Sequence, residues 1–306
     1  MDKYLISICG ATGIGKTRWA IRLAQHYKTE ILSADSRQFY REMRIGTAVP
    51  SASELEAVPH HFIQHKSILE TYTVGDFQRE ALERIADLFQ VHDHLILAGG
   101  SGLYLDAVTR GLDEFPEVTP GVREDLERKY REEGIKTLQD LLYKVDPEYH
   151  KIVDLQNVRR LVRALEICIS SGKPYSSFLG KPKSPQGFKH IALGIDAPRE
   201  VIYSRIDQRV DHMIEQGLLD EVIELRQYRD LNAMQTVGYQ ELFAYLDGEV
   251  ALETAIENIK RNTRRFAKRQ GTWFRRDPNI FWIPFDAPAE TGIALVENHI
   301  RSLHGH

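Results

Sequence analysis

The stretch Gly10-Ala11-Thr12-Gly13-Ile14-Gly15-Lys16-Thr17 decides how the rest of the chain is read. It fits G-x-x-x-x-G-K-[ST] at every fixed position and follows Leu5, Ile6 and Ile8, an apolar run short enough for a buried strand. Glycines let the backbone curl until successive N–H groups face one anion. The spacing predicts a helix from about Lys16 through Tyr27, whose positive end points at the same place. Lys16 adds a mobile charge, and the Thr17 hydroxyl is a ligand for Mg²⁺. The expected polyphosphate-binding set is Gly10, Ala11, Thr12, Gly13, Ile14, Gly15, Lys16 and Thr17, with Thr17 as the metal ligand. The motif implies a polyphosphate site without implying ATP.

With 306 residues, 42% of them hydrophobic, the chain can bury a full core in one large or two ordinary domains. Two cysteines, Cys9 and Cys168, lie in apolar surroundings and read as buried thiols of a reducing compartment. No stretch approaches the roughly 20 apolar residues of a membrane span, and the start of the chain lacks a basic region followed by a long apolar one. A cytoplasmic protein without membrane contact is expected. The net charge of −4 argues against a wholesale basic binder of nucleic acid but leaves room for a local basic face.

Along the chain, Glu30 to Ser36 reads as a second strand ending in a polar turn. Asp35 stands at its carboxyl end, the rim where open α/β sheets bind ligands. It is either a cap for the next segment or a group that holds an acceptor. The segment Arg37 to Pro50 is mixed, with an extended loop at Gly46–Pro50. The pair His60-His61 invites a metal reading, yet adjacent strand residues point to opposite faces, which favours structural or substrate-lining roles. Asp76 is expected to cap a helix from Phe77 to Gln90. His94-Leu95-Ile96-Leu97-Ala98 is the next buried strand, and it runs into Gly99-Gly100-Ser101-Gly102-Leu103-Tyr104. No acid closes it, which counts against a motor ATPase, and the place of these glycines on the binding rim favours a ligand.

From about Val118 to Leu179 strand signals vanish and the period is helical, so a helical insertion is expected, left through Lys181-Pro182-Lys183-Ser184-Pro185. Arg159, Arg160 and Arg163 share about one and a half turns of it. They are either a solvated face partnered by Glu166 or a phosphate-contacting patch. Strand texture returns at Ile191–Asp196. In the next helix Arg205 and Arg209 lie on one face, as a clamp over phosphates or as an ion-pair ladder with Asp207 and Asp211. Lys260 to Arg276 carries Lys260, Arg261, Arg264, Arg265, Lys268, Arg269, Arg275 and Arg276 with no acid, interleaved with Phe266, Trp273 and Phe274. One-signed charge with aromatics suits a nucleic-acid backbone and base stacking. Phe281-Trp282-Ile283 adds a last strand.

Taken together, these segments resemble the tRNA dimethylallyltransferase family, also called tRNA isopentenyltransferases, from the first strand to about Ile283. The anchors are Gly10–Thr17, Ser33-Ala34-Asp35-Ser36-Arg37-Gln38, Ile45-Gly46-Thr47-Ala48, Pro59-His60-His61 and Gly99–Tyr104. Further along they are Arg163-Ala164-Leu165-Glu166, Arg205-Ile206-Asp207-Gln208-Arg209, Thr236-Val237-Gly238-Tyr239, and Arg264–Gln270 with Thr272-Trp273-Phe274. The family usually has Pro where Ala11 stands and Thr where Ser101 stands, and its acidic position after the paired histidines is here Gln64 or His65.

The resemblance implies an α/β fold: a P-loop NTPase-like parallel sheet core with an inserted helical domain and a helical C-terminal region. The parts are expected at 1–117, 118–185 and 186–306. It implies an enzyme that transfers a dimethylallyl group from dimethylallyl diphosphate to N6 of the adenosine just 3′ of the tRNA anticodon, position 37 in tRNA numbering. Mg²⁺ is the implied cofactor, the anticodon stem-loop the implied partner, and a monomer is expected. Asp35, Thr17 and Arg209 are the implied catalytic residues. Implied contacts to tRNA come from Asp35, Ser36, Arg37, Gln38, Ser101, Arg123, Arg159, Arg160, Arg163, Thr236, Val237, Gly238, Tyr239, Gln240, Arg264, Arg265, Lys268 and Arg269. Rival readings are a small-molecule P-loop kinase, an enzyme that prenylates free adenylates, and a nucleotide-controlled RNA-binding protein.

Overall fold

The computed structural model describes residues 2–180 and 187–304. The chain divides into two compact units, Met1–Arg110 with Pro185–His306, and Gly111–Ser184. In chain order the first unit contributes β1 (Tyr4–Gly10), α1 (Lys16–Tyr27), β2 (Ile31–Ser33), α2 (Ala52–Ala57), β3 (His60–His61), α3 (Val74–Leu88), β4 (His94–Ala98) and α4 (Gly102–Arg110). The second unit holds α5 (Val122–Glu133), α6 (Ile135–Val145), α7 (Pro147–Ile152) and α8 (Val158–Ser171). The first unit then resumes with β5 (Lys189–Asp196), α9 (Arg199–Glu215), α10 (Leu218–Glu224), α11 (Tyr239–Leu246), α12 (Leu252–Phe274), β6 (Ile280–Pro284) and α13 (Ala289–His304).

The six strands form one parallel sheet in the order β3-β2-β4-β1-β5-β6. β1 is buried along its whole length because both its faces are covered. Leu5 and Cys9 face Phe77, Ala81 and Ile85 of α3. Tyr4, Ile6 and Ile8 face Trp19 and Leu23 of α1 and Val296 of α13. Ile8 is in register with Ala98 on one side and Leu193 on the other. The carboxyl ends of β1, β2 and β4 therefore lie together, and the loops after them converge on one rim. A third apolar cluster joins Tyr40 and Met43 to Val210, Leu218, Tyr239 and Ile259, and so fastens α9 through α12 to the loop after β2.

Several boundaries differ from expectation. β2 is only Ile31–Ser33, since Glu30 turns out to His61. α3 starts at Val74, and its cap is Thr73; Asp76 supplies the returning half of a capping box, with its carboxylate on the Thr73 N–H at 3.0 Å. The exit segment Lys181–Pro185 lies outside the described residues.

In the second unit, Leu126, Leu138, Leu142, Leu161 and Leu165 form the core. Asp146 is buried and accepts from Tyr149 N, Ser176 N and the Ser176 hydroxyl, which ends α6 and starts α7. Glu166 is 1% exposed and takes both Arg163 and Arg123, the latter at 2.6 Å. A buried carboxylate requires such partners, so these two arginines are structural cations, whereas Arg159 and Arg160 point to solvent.

Candidate active site

The loop after β1 takes left-handed backbone where its sequence places glycine: Gly13 and Gly15 have φ of 78° and 100°. Its residues divide by role. Thr12, Gly13, Gly15, Lys16 and Thr17 line a cavity of about 890 Å³. Gly10, Ala11 and Ile14 do not. A Cβ on Gly10 would sit 2.8 Å from the Ile195 carbonyl, Ala11 packs on Ile206 and Ala267, and Ile14 is in the core. The loop thus faces the cavity through Thr12, Gly13 and the run Gly15–Thr17.

Lys16 Nζ bonds to the Ala11 carbonyl at 2.9 Å, inside the loop. Burial lowers its pKa to about 8; the Asp35 carboxylate raises it and Arg209 lowers it further. Arg209, on α9, donates to the Thr12 hydroxyl at 3.3 Å, and burial pulls its pKa down as well. Two cations and one carboxylate therefore share a partly dry wall, an arrangement that favours an incoming anion. Arg205 borders the same cavity from one turn earlier, with its guanidinium 5.6 Å from the Phe285 ring centroid.

The ladder with Asp207 and Asp211 is not formed within α9. Those acids reach across to α12, Asp207 to Arg264 at 2.5 Å and Asp211 to Lys260 at 2.7 Å. The basic run is therefore not uniformly free. Arg264, expected to face tRNA, is an internal strut, and Arg275 is held by Asp196. Arg261, Arg265, Lys268, Arg269 and Arg276 are exposed.

A second cavity, of about 530 Å³, lies beside the first. Its walls carry Asp35, Ser36 and Arg37, the Gly100–Tyr104 turn, Thr236, Val237 and Gly238, and Phe266, Arg269, Gln270 and Trp273 from α12. Ile206, Val210, Met213, Leu218 and Ile259 give it an apolar side. The two cavities share Thr12, Asp35, Thr47 and Arg209 and no other lining residue. Asp35 sits at that junction, and its Oδ1 accepts the Arg37 N–H at 3.1 Å, so the carboxylate both shapes the turn and faces both spaces. Ser101 Oγ meets Ser36 N at 3.2 Å and Ser36 Oγ at 3.1 Å, fixing the other side of the mouth.

Three residues expected to touch tRNA have other partners in the fold, although Gln38 also borders the first cavity. The Gln38 amide is spent on Ser33 and on the Thr47 and Ala48 carbonyls, where it braces a loop. Tyr239 is fully buried, with its hydroxyl on Glu221 at 2.6 Å. Gln240 is exposed, bonded to Gln235, and borders neither cavity. The histidines part company: His60 Nδ1 donates to the Val58 carbonyl at 2.7 Å, and His61 pairs with Glu30 at 2.6 Å.

The glycines after β4 border the cavities, Gly99 the first and Gly100 and Gly102 the second, and close packing holds each of them to glycine as well. A Cβ on Gly99 would lie 2.5 Å from the Ala34 carbonyl oxygen, one on Gly100 2.5 Å from Gln270 Nε2, and one on Gly102 2.3 Å from the Trp273 ring. Two residues that local reading does not single out build this corner. Gln270 bridges Thr12 and Gly100, and Glu221 gathers the N–H groups of Arg44, Ile45 and Gly46.

For a metal, no group of three or more His, Cys, Asp or Glu residues converges among the described residues. Thr17 and Asp35 line the first cavity together. Mg²⁺ bound with a polyphosphate takes only one or two protein ligands and fills the rest with phosphate oxygens and water. The donor set fits an ion that arrives with its phosphate.

A family model described as IPP transferase matches residues 38–277. The tRNA dimethylallyltransferase of Christiangramia forsetii is 53% identical over 302 residues, covering 99% of this chain and 100% of that protein. That of Flavobacterium johnsoniae is 53% identical over 306 residues, with 98% and 99% covered. Among solved structures, the full-length tRNA isopentenylpyrophosphate transferase of Bacillus halodurans is 38% identical, with a TM-score of 0.72 over 99% of this chain and 96% of that one. A eukaryotic dimethylallyltransferase acting on tRNA is 27% identical, with a TM-score of 0.84 over 98% of this chain and 80% of that one. The family match takes in the turn after β4, α9 and α12, which wall the cavities, and the bacterial relatives match the chain almost end to end: this chain belongs to the IPP transferase family.

Proposed function

We propose that the protein is a tRNA dimethylallyltransferase, which moves the dimethylallyl group of dimethylallyl diphosphate to N6 of an adenosine beside the tRNA anticodon and releases diphosphate. The observation that carries the reading is the meeting of two cavities at Thr12, Asp35, Thr47 and Arg209. One is walled by the phosphate loop and suits the diphosphate. The other has an apolar side and aromatic and cationic residues, and suits a flat base on a polyanion.

The residues divide the reaction between them. Adenine N6 is a poor nucleophile, since its lone pair is delocalised into the ring. The allylic carbon–oxygen bond must therefore break substantially as the carbon–N6 bond forms. Charge builds on the departing diphosphate, where the Gly13–Thr17 backbone, Lys16 and Arg209 stabilise it. Asp35 orients the N6 amine and accepts the proton it loses. Thr17 would hold a Mg²⁺ ion, which would supply further charge neutralisation of the leaving group. The adenine leaves its stack to enter the second cavity. Exposed cations of α12 carry the anticodon arm, and the second unit has exposed cations of its own in Arg159 and Arg160. No described helix is long and apolar enough to cross a membrane, and work on tRNA suits a cytoplasmic protein.

The test is mass spectrometry of nucleosides from tRNA incubated with the protein, dimethylallyl diphosphate and Mg²⁺. N6-dimethylallyladenosine is the expected product. No prenylated adenosine, together with ATP consumption in the presence of a small acceptor, would support the kinase reading instead.

A further inference from the structure

Gln270 lies on α12 between two exposed neighbours of the sequence's basic run, Lys268 and Arg269, and the Trp273 turn, yet it is 7% exposed. Its amide is committed at both ends. Oε1 accepts the Thr12 N–H at 2.8 Å, and Nε2 donates to the Gly100 carbonyl at 2.8 Å. These bonds tie the phosphate loop to the turn after β4. On one side, Thr12 also receives Arg209 through its hydroxyl. On the other, Gly100 leads into Ser101, whose hydroxyl meets Ser36 next to Asp35. A path of hydrogen bonds and short backbone links therefore runs from Arg209 through Thr12, Gln270 and Gly100 to the Asp35 turn. Residue 100 must be glycine for this bridge, because a Cβ there would reach within 2.5 Å of Gln270 Nε2.

A buried primary amide costs free energy unless its polar atoms are paired. An apolar side chain of similar size would fill the space without that demand. What it would lose is the fixed spacing between the two loops. We propose that Gln270 is a positioning residue for prenyl transfer: it holds Thr12, and with it Arg209, in register with the Ser101–Asp35 side of the junction. The proposal rests on the transfer reaction proposed above. It assigns Gln270 no contact with either substrate's reacting atoms.

The experiment compares wild type, Gln270→Met, Gln270→Glu and Gly100→Ala in single-turnover transfer at saturating tRNA and dimethylallyl diphosphate, with tRNA affinity and thermal melting measured alongside. Misplacement of a reacting group by about 1 Å costs on the order of 100-fold in rate. Gln270→Met is expected to lose about that much, with tRNA affinity within about twofold of wild type. Gln270→Glu keeps an acceptor for Thr12 N–H and loses the donor to Gly100, so its rate should fall between the two. Gly100→Ala should follow Gln270→Met, and it carries the test if that variant does not fold. Thr12→Val combined with Gln270→Met should be less than additive, since both cut one path. A Gln270→Met rate within about threefold of wild type, a loss that appears only as weaker tRNA binding, or full additivity would overturn the assignment. A wild type that makes no product would instead overturn the transferase reading itself.

Discussion

Arg209 Nη1 lies 3.3 Å from the Thr12 hydroxyl oxygen, whereas Arg205, one turn earlier on α9, leans over Phe285. Both arginines border the cavity beside the phosphate loop, but only Arg209 also borders the second cavity. The two positions are therefore unequal in what they can do for a leaving group. Arg209→Ala is expected to lower the rate of transfer by about 10²–10³-fold, as for other removed anion-stabilising donors. Arg205→Ala should act mainly on the KM for dimethylallyl diphosphate. Steady-state kinetics of the two variants check this, and equal losses in kcat would place both guanidinium groups on the departing diphosphate.

Asp35 performs a structural task through its Oδ1 bond to Arg37 N, so Asp35→Ala removes two things at once. Asp35→Asn keeps the turn acceptor and removes the basic carboxylate. Both variants should lose about 10²–10⁴ in single-turnover rate, the usual worth of a general base. Affinity for tRNA should survive in Asp35→Asn, measured by filter binding. A near-normal rate in Asp35→Asn would remove Asp35 from proton transfer.

How much of the molecule is legible in the sequence depends on how local each determinant is. The phosphate loop and α1 are written in contiguous residues, and so is β4 with its glycine turn. Asp35 is legible because a strand end fixes its place on the rim. Gln270 is not: its partner Thr12 is 258 positions away, and nothing in a run of Arg and Lys marks one glutamine as buried. A shorter separation, 57 positions from Asp207 to Arg264, likewise hid the partners of the α9 acids, which make Lys260 and Arg264 part of a helix–helix interface. Tyr239 stands in a motif that suggests ligand contact, but only the packing of α10 and α11 shows that its ring closes over Gly46 and its hydroxyl meets Glu221. Glycine turns are ambiguous for a related reason. Space for a ligand and space for a neighbouring side chain require the same residue.

The state of Lys16 gives a pH dependence with a defined sign. Burial lowers its pKa from 10.5 to about 8. In the folded, ligand-free protein the charged form is thus disfavoured, and the unfolded chain binds more protons between about pH 8 and pH 10.5. This residue's contribution to stability rises as pH increases through that window. A bound diphosphate reverses the preference by stabilising the ammonium. Binding should therefore take up protons above about pH 8, and affinity for the diphosphate should weaken as pH rises past that point. Calorimetry in buffers of different ionisation enthalpy measures the uptake. It should be present in wild type at pH 9 and absent in Lys16→Met; equal uptake in both would assign the proton to another group.

The grip on tRNA should come from cations that have no acid to answer to. Each phosphate contact releases counterions, so log affinity falls with log salt by about 0.7 per contact on single-stranded regions. Arg265, Lys268 and Arg269 on α12, and Arg159 and Arg160 on α8, are exposed. Replacing one of them with glutamine should flatten the salt dependence by about one contact and weaken different tRNAs alike. Arg264 lies in the same stretch, but its guanidinium is held by Asp207. Arg264→Gln should leave the salt slope unchanged and lower the transfer rate instead, because it loosens α9, which carries Arg209. Arg123 and Arg163 differ again. Losing either leaves the buried Glu166 with one cation fewer, so those variants should lose stability before they lose salt dependence. Salt titrations of tRNA binding, run beside thermal melts, separate the three classes. If Arg264→Gln flattens the slope as much as Arg269→Gln does, then Asp207 releases its partner when RNA binds, and the α9–α12 pair is part of the RNA-binding surface rather than a strut behind it.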